Sequence, residues 1–301
     1  MDGIIPLWKE KGMTSFDCVF QVRKLLKMKR VGHSGTLDPQ VDGVLPICIG
    51  KATKVVEFLL ESEKAYQGEI CLGISTETED AYGDVVEQVA LNNILRLDLI
   101  DDLMKDMEGT LQQVPPMYSA VKVDGKRLYE YARKGQEVTR PIRQVEIYSF
   151  VRTGQPIYHA DNQTVTWPFE VHCSKGTYIR TLAVDLGKKL GFPAHMSQLT
   201  RIKSASYQKE DCLTLAQLKE LVASDRVKEA ILPIETALDS FEKVDLSSEL
   251  FDKVKHGALL EESLFQEELT WPVAFYYQGN LIALYHKHAQ KEGLIKPYKM
   301  F

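Results

Sequence analysis

The sequence predicts a mixed α/β (α+β-like) fold: a largely antiparallel central sheet flanked by helices, followed by a small domain of helix and short strands. Three observations carry this. Strand-like alternation recurs over 66–72, 145–151 and 165–171, apolar residues at helical spacing lie between and around those runs, and the two do not follow the βαβ rhythm of a parallel sheet. At 301 residues, 44% hydrophobic and 26% charged, the chain suffices for one large domain and one small one.

In chain order, Thr14-Ser15 opens a helix in which Phe16, Val19, Val22, Leu25 and Leu26 recur, and a hydroxyl caps its first turn. Arg23, Lys27 and Arg30 occupy another face and Lys24 and Lys29 widen it, which makes a basic stripe. Tyr66, Gly68, Ile70 and Leu72 alternate with polar neighbours as a half-buried strand does, and so do Val145 to Val151 and Val165 to Val171. Asp124-Gly125 is a hairpin turn. Helices are expected at roughly 91–107, at 127–134 up to Gly135, at 177–190 up to Gly191, and at 214–224, where Thr214-x-x-Gln217 is a capping box. A boundary falls near 235–245, giving domains 1–238 and 239–301. The second has a short helix over 247–256, then strands around 258–275 and 281–287 with Gln278-Gly279-Asn280 as a turn.

Composition removes several function classes. Apolar runs are too short to span a bilayer, and the first ten residues have neither the cationic lead nor the apolar core of a secretory signal. Five scattered cysteines with no Cys-x-x-Cys pair fit reduced thiols and a cytoplasmic location better than a disulfide scaffold or zinc ribbon. No dinucleotide fingerprint, complete P-loop or hydrolase elbow is present, and His286-x-His288 lacks a third ligand, so no metal site is expected. The net charge of −5 hides segregation: residues 20–54, 118–143 and 172–203 are strongly basic, while 61–110 holds thirteen acids against three cations. A basic face for a polyanion and an acidic remainder is one reading, and solvated helix faces are the other.

Four segments could carry chemistry. In 32–46, three glycines and two prolines frame Asp38, whose backbone Pro39 keeps out of the helical region, as suits a preorganised carboxylate; an Asx turn is the commoner fate of an Asp-Pro pair. Residues 173–182 leave a strand, turn at Gly176 and bring Arg180 into the first turn of a helix, where a cation opposes the dipole and calls for an anion. Tyr66 stands at a strand start, where an aromatic ring can stack on an unpaired base. Residues 115–135 run from a proline-led loop into a basic hairpin and a basic-aromatic helix containing Lys126, Arg127 and Arg133, a pattern suited to gripping RNA.

In this order, these segments resemble the TruB family of tRNA pseudouridine synthases. The match runs through Lys9-x-x-Gly12-Met13-Thr14-Ser15, Gly32-His33-x-Gly35-Thr36-Leu37-Asp38-Pro39, Lys64-Ala65-Tyr66, Pro115-Pro116-x-Tyr118-Ser119-Ala120 and Cys173-Ser174-Lys175-Gly176-Thr177-Tyr178-Ile179-Arg180, and spans about residues 1–205. The resemblance implies isomerisation of uridine 55 in the tRNA T-loop to pseudouridine by a base-flipping enzyme, with no cofactor. It implies catalytic roles for Asp38, Tyr66 and Arg180 and substrate contacts from His33, Tyr178, Leu199 and Lys9. Residues 118–143 would be the RNA-gripping thumb and the tail a PUA-like barrel. The resemblance further implies a cytoplasmic monomer that binds the T-stem-loop, with no guide RNA and no membrane. Glu10, Phe16 and Ser34 depart from the family's usual residues. A non-catalytic tRNA-refolding protein is the rival, and it would not need Asp38.

Overall fold

The computed structural model describes residues 1–265 and 269–301. Its main sheet runs in the order Gly3–Lys9, Asp42–Ile49, Ala194–Ser204, Lys64–Leu72, Thr164–Cys173, Arg143–Arg152, Gly109–Gln113. Each neighbouring pair is antiparallel except Ala194–Ser204 beside Asp42–Ile49, so the antiparallel expectation holds with one exception. That exception is short, two residue pairs at Thr200–Asp42 and Arg201–Gly43. Gly43 permits it. Its φ is +126°, and a Cβ there would lie 2.2 Å from the Arg201 carbonyl oxygen, so only glycine lets the strands approach.

Helices cover the sheet because each presents one apolar stripe. In Ser15–Leu26, Thr14 caps the first turn with Asp17 in a reciprocal box, and Cys18, Val19, Val22 and Leu26 are buried with the Gly3–Lys9 and Asp42–Ile49 strands. Helices Leu97–Lys105 and Ile179–Leu190 bury Ile100, Met104, Leu182 and Leu186 against Ile70, Trp167 and Phe169. Gly191, in the left-handed region, closes the second of these.

Several expected boundaries move. The 91–107 helix contracts to Leu97–Lys105, because Leu91 N–H donates to the Gln163 carbonyl instead of opening a turn. The 127–134 helix is the short Leu128–Ala132. The run 258–275 becomes Leu260–Glu261 and Val273–Tyr277, and residues 266–268 of it lie outside the described part. With Lys243–Asp245, Asn280–Lys287 and Leu294–Met300 these strands form a five-stranded, curled PUA-like sheet. Its Ala274, Tyr276, Leu281 and Leu284 share one apolar cluster with Ile4, Val44 and Leu59 of the larger body. No helix among the described residues is long and apolar enough to cross a membrane.

Candidate active site

Asp38 lies between the Val31–His33 and Asp42–Ile49 strands, in a loop fastened from three sides. Ser15 Oγ accepts from Leu37 N–H at 2.8 Å, the Lys9 ammonium donates to the Pro39 carbonyl at 3.1 Å, and Val41 N–H closes a turn on the Asp38 carbonyl at 3.0 Å. The backbone on both sides of Asp38 is therefore fixed by groups outside the loop. Its carboxylate forms no Asx turn; it meets Arg180 Nη2 at 3.1 Å.

Arg180 is the second residue of Ile179–Leu190, and its side chain is 6% exposed. A buried guanidinium needs its donors satisfied. Nη1 donates to the Thr78 carbonyl at 2.9 Å and Nη2 to the Tyr118 carbonyl at 3.0 Å. Asp80 Oδ2 lies 4.0 Å from Nη1, so Arg180 stands between two carboxylates. Asp80 is itself held by Thr78 Oγ1 at 2.6 Å and Tyr82 N–H at 3.0 Å. The anion that the helix dipole called for is present twice.

These groups line a recess of about 500 Å³, a size typical of small-molecule sites. Asp38, Tyr66, Tyr178, Arg180 and Leu199 all reach it, as do Lys64 and Arg201. Burial drives the Asp38 carboxyl above its usual range; Arg180 opposes that shift without cancelling it, and Asp80 reinforces it. The guanidinium thus restrains the rise in the Asp38 pKa instead of holding the carboxyl at its solvent value. Burial likewise pushes the Tyr66 phenol up, so the ring enters neutral solution protonated, an aromatic plate with a donor rather than a phenolate base. Tyr178 is fixed through its backbone: Gln113 accepts from its N–H at 3.0 Å and donates to its carbonyl at 3.2 Å.

Two expected substrate contacts lie elsewhere. Lys9 is wholly buried and is spent on the carbonyls of Glu10, Met13 and Pro39, so it supports the Asp38 loop from beneath and does not reach the recess. His33 is on the strand entering that loop, outside the wall of the recess. Lys126, Arg127 and Arg133 stand apart from the recess on the hairpin Lys122–Val123/Lys126–Arg127 and just beyond the Leu128–Ala132 helix. They are exposed and lean on aromatic rings, Lys126 over Tyr131 at 5.8 Å and Arg133 over Tyr129 at 5.3 Å. The same segment reaches the recess through Ser119, Val121 and Lys122.

Three lining or bracing groups were not anticipated from the sequence. Asp80 lies within the acidic run read as a solubilising remainder, and no periodicity marks it. Arg201 is 1% exposed and donates to the carbonyls of Val44 at 2.8 Å and Gly35 at 3.2 Å. Lys64 caps the C-terminus of Val56–Glu61 through the Leu59 and Leu60 carbonyls, and burial lowers its pKa to about 8. The sequence signal for Arg201 is a cation inside a strand pattern, and Lys64 stands besides in the Lys64-Ala65-Tyr66 segment of the resemblance.

Comparison with known proteins is decisive about kinship. Residues 23–179 match the family model for the TruB family pseudouridylate synthase N-terminal domain, and residues 180–239 match that for the tRNA pseudouridylate synthase B C-terminal domain. Proteins named tRNA pseudouridine synthase B from Streptococcus sanguinis and Bacillus pumilus are 52% and 49% identical, covering all of this chain and 100% and 97% of their own. Among solved structures, the chain superposes on one in a Cbf5-Nop10-Gar1 complex with a TM-score of 0.72 at 28% identity, covering 99% of this chain and 84% of that one. A chain in an H/ACA RNP bound to a substrate RNA containing 2'-deoxyuridine matches equally, at TM-score 0.72, 26% identity and the same coverage.

Proposed function

The chain belongs to the TruB family of pseudouridylate synthases, and we propose that the uridine it isomerises is the one at position 55 in the T-loop of tRNA, reached by flipping the base out of its stack. The observation that carries the reading is the 3.1 Å contact between Asp38 and Arg180 on the wall of a recess also lined by Tyr66.

The reaction breaks the N1–C1′ bond, turns the detached uracil and forms a C5–C1′ bond; C5 gives up a proton and N1 gains one. Atoms and electrons balance within the nucleotide. Asp38 acts at the sugar in its ionised form, either by bonding to C1′ or by taking the C2′ proton. Arg180 orients it and limits the rise in its pKa. Tyr66 forms the plate against which the freed ring turns, with Tyr178 and Leu199 closing the uracil pocket. Its protonated phenol suits hydrogen bonding to the ring better than removal of the C5 proton. By its resemblance to the family's histidine, His33 occupies space near the displaced base. Lys126, Arg127 and Arg133 grip the phosphates of the T-stem-loop from the thumb at 118–143.

The same reading divides the chain into a catalytic domain, 1–238, and a PUA-like domain, 239–301, acting as a cytoplasmic monomer without a guide RNA. Curated relatives named as tRNA enzymes that match over their whole length support this more than the neighbours named in RNP complexes. The test is incubation with unmodified tRNA followed by mapping of pseudouridine. Wild type should convert position 55 alone, and Asp38→Asn should convert nothing. Full conversion by Asp38→Asn would refute the assignment of Asp38, and no conversion by wild type would refute the reading itself.

A further inference from the structure

The helix Ser15–Leu26 carries two stripes, and the fold uses only one. Ser15, Cys18, Val19, Val22 and Leu26 face the core. Phe16, Phe20, Arg23 and Lys24 recur at i, i+4, i+7 and i+8, which is the spacing of one continuous helix face, and Lys27 follows as the left-handed C-cap. The rings of that second face stay largely in solvent: Phe16 is 61% exposed and Phe20 is 57% exposed. Two neighbouring phenylalanines in water are unfavourable unless something covers them. Lys24 and Lys27 are exposed beyond them, and the Arg23 guanidinium lies 5.8 Å from the Phe16 ring while donating to the Val31 carbonyl.

Position and chemistry select the occupant. Ser15, one residue before Phe16, holds Leu37 N–H and so fastens the loop that carries Asp38; the stripe therefore begins beside the residue that braces that loop and extends about 12 Å along the helix from Phe16 to Lys24. A protein-binding face of this size would be expected to have an apolar centre and a mixed rim, whereas here Arg23, Lys24 and Lys27 follow the rings and the one acid, Asp17, is engaged in the Thr14 capping box. Flat rings set among cations match a chain of phosphates with bases free to stack.

We propose that this face is a second RNA-binding surface, on which Phe16 and Phe20 stack unpaired nucleotides of the substrate while Lys24 and Lys27 take their phosphates. It rests on the activity proposed above and is separate from the thumb. The loop that Ser15 braces and the segment Ser119 to Lys122 both line the recess, so on this proposal the helix face and the thumb hold RNA that adjoins the same flipped nucleotide.

The experiment compares wild type, Phe16→Ala/Phe20→Ala and Phe16→Trp/Phe20→Trp with full-length unmodified tRNA, measuring Kd and steady-state rates. Thermal melting serves as the folding control. Stacking worth ~1–3 kcal/mol per base predicts that the alanine pair weakens binding by about ten-fold or more, with the loss falling on KM, and that the tryptophan pair restores it. Lys24→Gln/Lys27→Gln should lower the salt slope of binding by about 1–2. An unchanged Kd in the alanine pair, at an unchanged melting temperature, overturns the proposal and leaves the face to a protein partner. A wild type that makes no pseudouridine would instead sink the parent reading, while the Kd comparison would still decide the stripe.

Discussion

The recess and the thumb are both built around arginines, and they use them in opposite ways. Arg180 is buried, bonded to two backbone carbonyls and paired with Asp38, while Arg127 and Arg133 are exposed and rest on the ring of Tyr129 at 5.8 and 5.3 Å. A desolvated guanidinium tied to two carbonyls has little freedom and fixes the position of its carboxylate partner closely. A solvated one over an aromatic face keeps its donors free for a phosphate and gives up little on meeting it. On the roles proposed above, precision is concentrated where a bond must break, and adaptability is kept where an irregular RNA must be held.

The largest effects should come from the precise side. Replacing Asp38 by Asn should lower kcat on the order of 10⁴-fold while leaving tRNA binding near wild type. Stability should move the other way. The folded state raises the Asp38 carboxyl above its unfolded value of 3.8, so the fold is favoured by protonation, and that advantage is lost as pH rises through the folded pKa. At neutral pH the ionised group therefore destabilises the fold, and Asp38→Asn should raise Tm by about 1–3 °C in a melting scan. A lower Tm would mean that the ion pair with Arg180 stabilises more than burial penalises. Arg180→Lys comes next, with kcat lowered by roughly 10²-fold, since a single ammonium nitrogen cannot occupy both the Nη1 position facing the Thr78 carbonyl and the Nη2 position facing Tyr118 and Asp38. Because Arg180 holds the Asp38 pKa down, weakening it should also move the acid limb of the kcat/KM profile to higher pH. A limb that stays in place would detach Arg180 from the ionisation of Asp38.

The same contrast explains which parts could be read from the sequence. Strands buried on one face alternate, so Lys64–Leu72, Arg143–Arg152 and Thr164–Cys173 were legible, as were helices announced by Thr14 and Thr214. The Asp42–Ile49 strand was not, because burial on both faces makes it a plain apolar run, broken further by Pro46 opposite Pro6. Ala194–Ser204 was hidden by two bulges, each of which shifts the inward-facing set by one. Leu294–Met300 carries Pro297 and two lysines, which mask its pattern. In the site, the loop around Asp38 was legible as glycine–proline framing, but its role came from family resemblance. Charge counting failed for an identifiable reason. It gave Arg180 and Arg201 to a basic surface and Asp80 to an acidic one, although all three point inward. A formal charge does not record which direction its side chain takes.

On the adaptable side the expected changes are smaller and confined to binding. Replacing Lys126, Arg127 and Arg133 together by Ala should raise Kd for tRNA and reduce the slope of log K against log salt by about 2–3, as the loss of three phosphate contacts requires. Tm should stay within what surface substitutions usually produce, ~0.5 kcal/mol of stability. Conversion at saturating tRNA should be nearly normal. An unchanged slope would show that these cations do not meet phosphates, and the difference between thumb and recess would lose its functional meaning.

Lys9 tests the contrast most finely, since it is a cation that was expected to meet substrate and is instead buried under the Asp38 loop. Burial lowers its pKa, and its three carbonyl partners offset part of that penalty. Lys9→Met keeps the stem and removes the donors. The Pro39 carbonyl still accepts from Gly12 N–H at 2.8 Å, so the loop should loosen without collapsing, with a loss of about 1–2 kcal/mol in denaturant unfolding. A bracing lysine and a substrate-binding lysine then predict different kinetics. Bracing lowers kcat several-fold, because Asp38 visits its working position less often, and leaves KM alone. Substrate contact would raise KM at constant kcat, and finding that pattern would return Lys9 to the RNA-facing group and blur the division between the arginines that fix and the cations that grip.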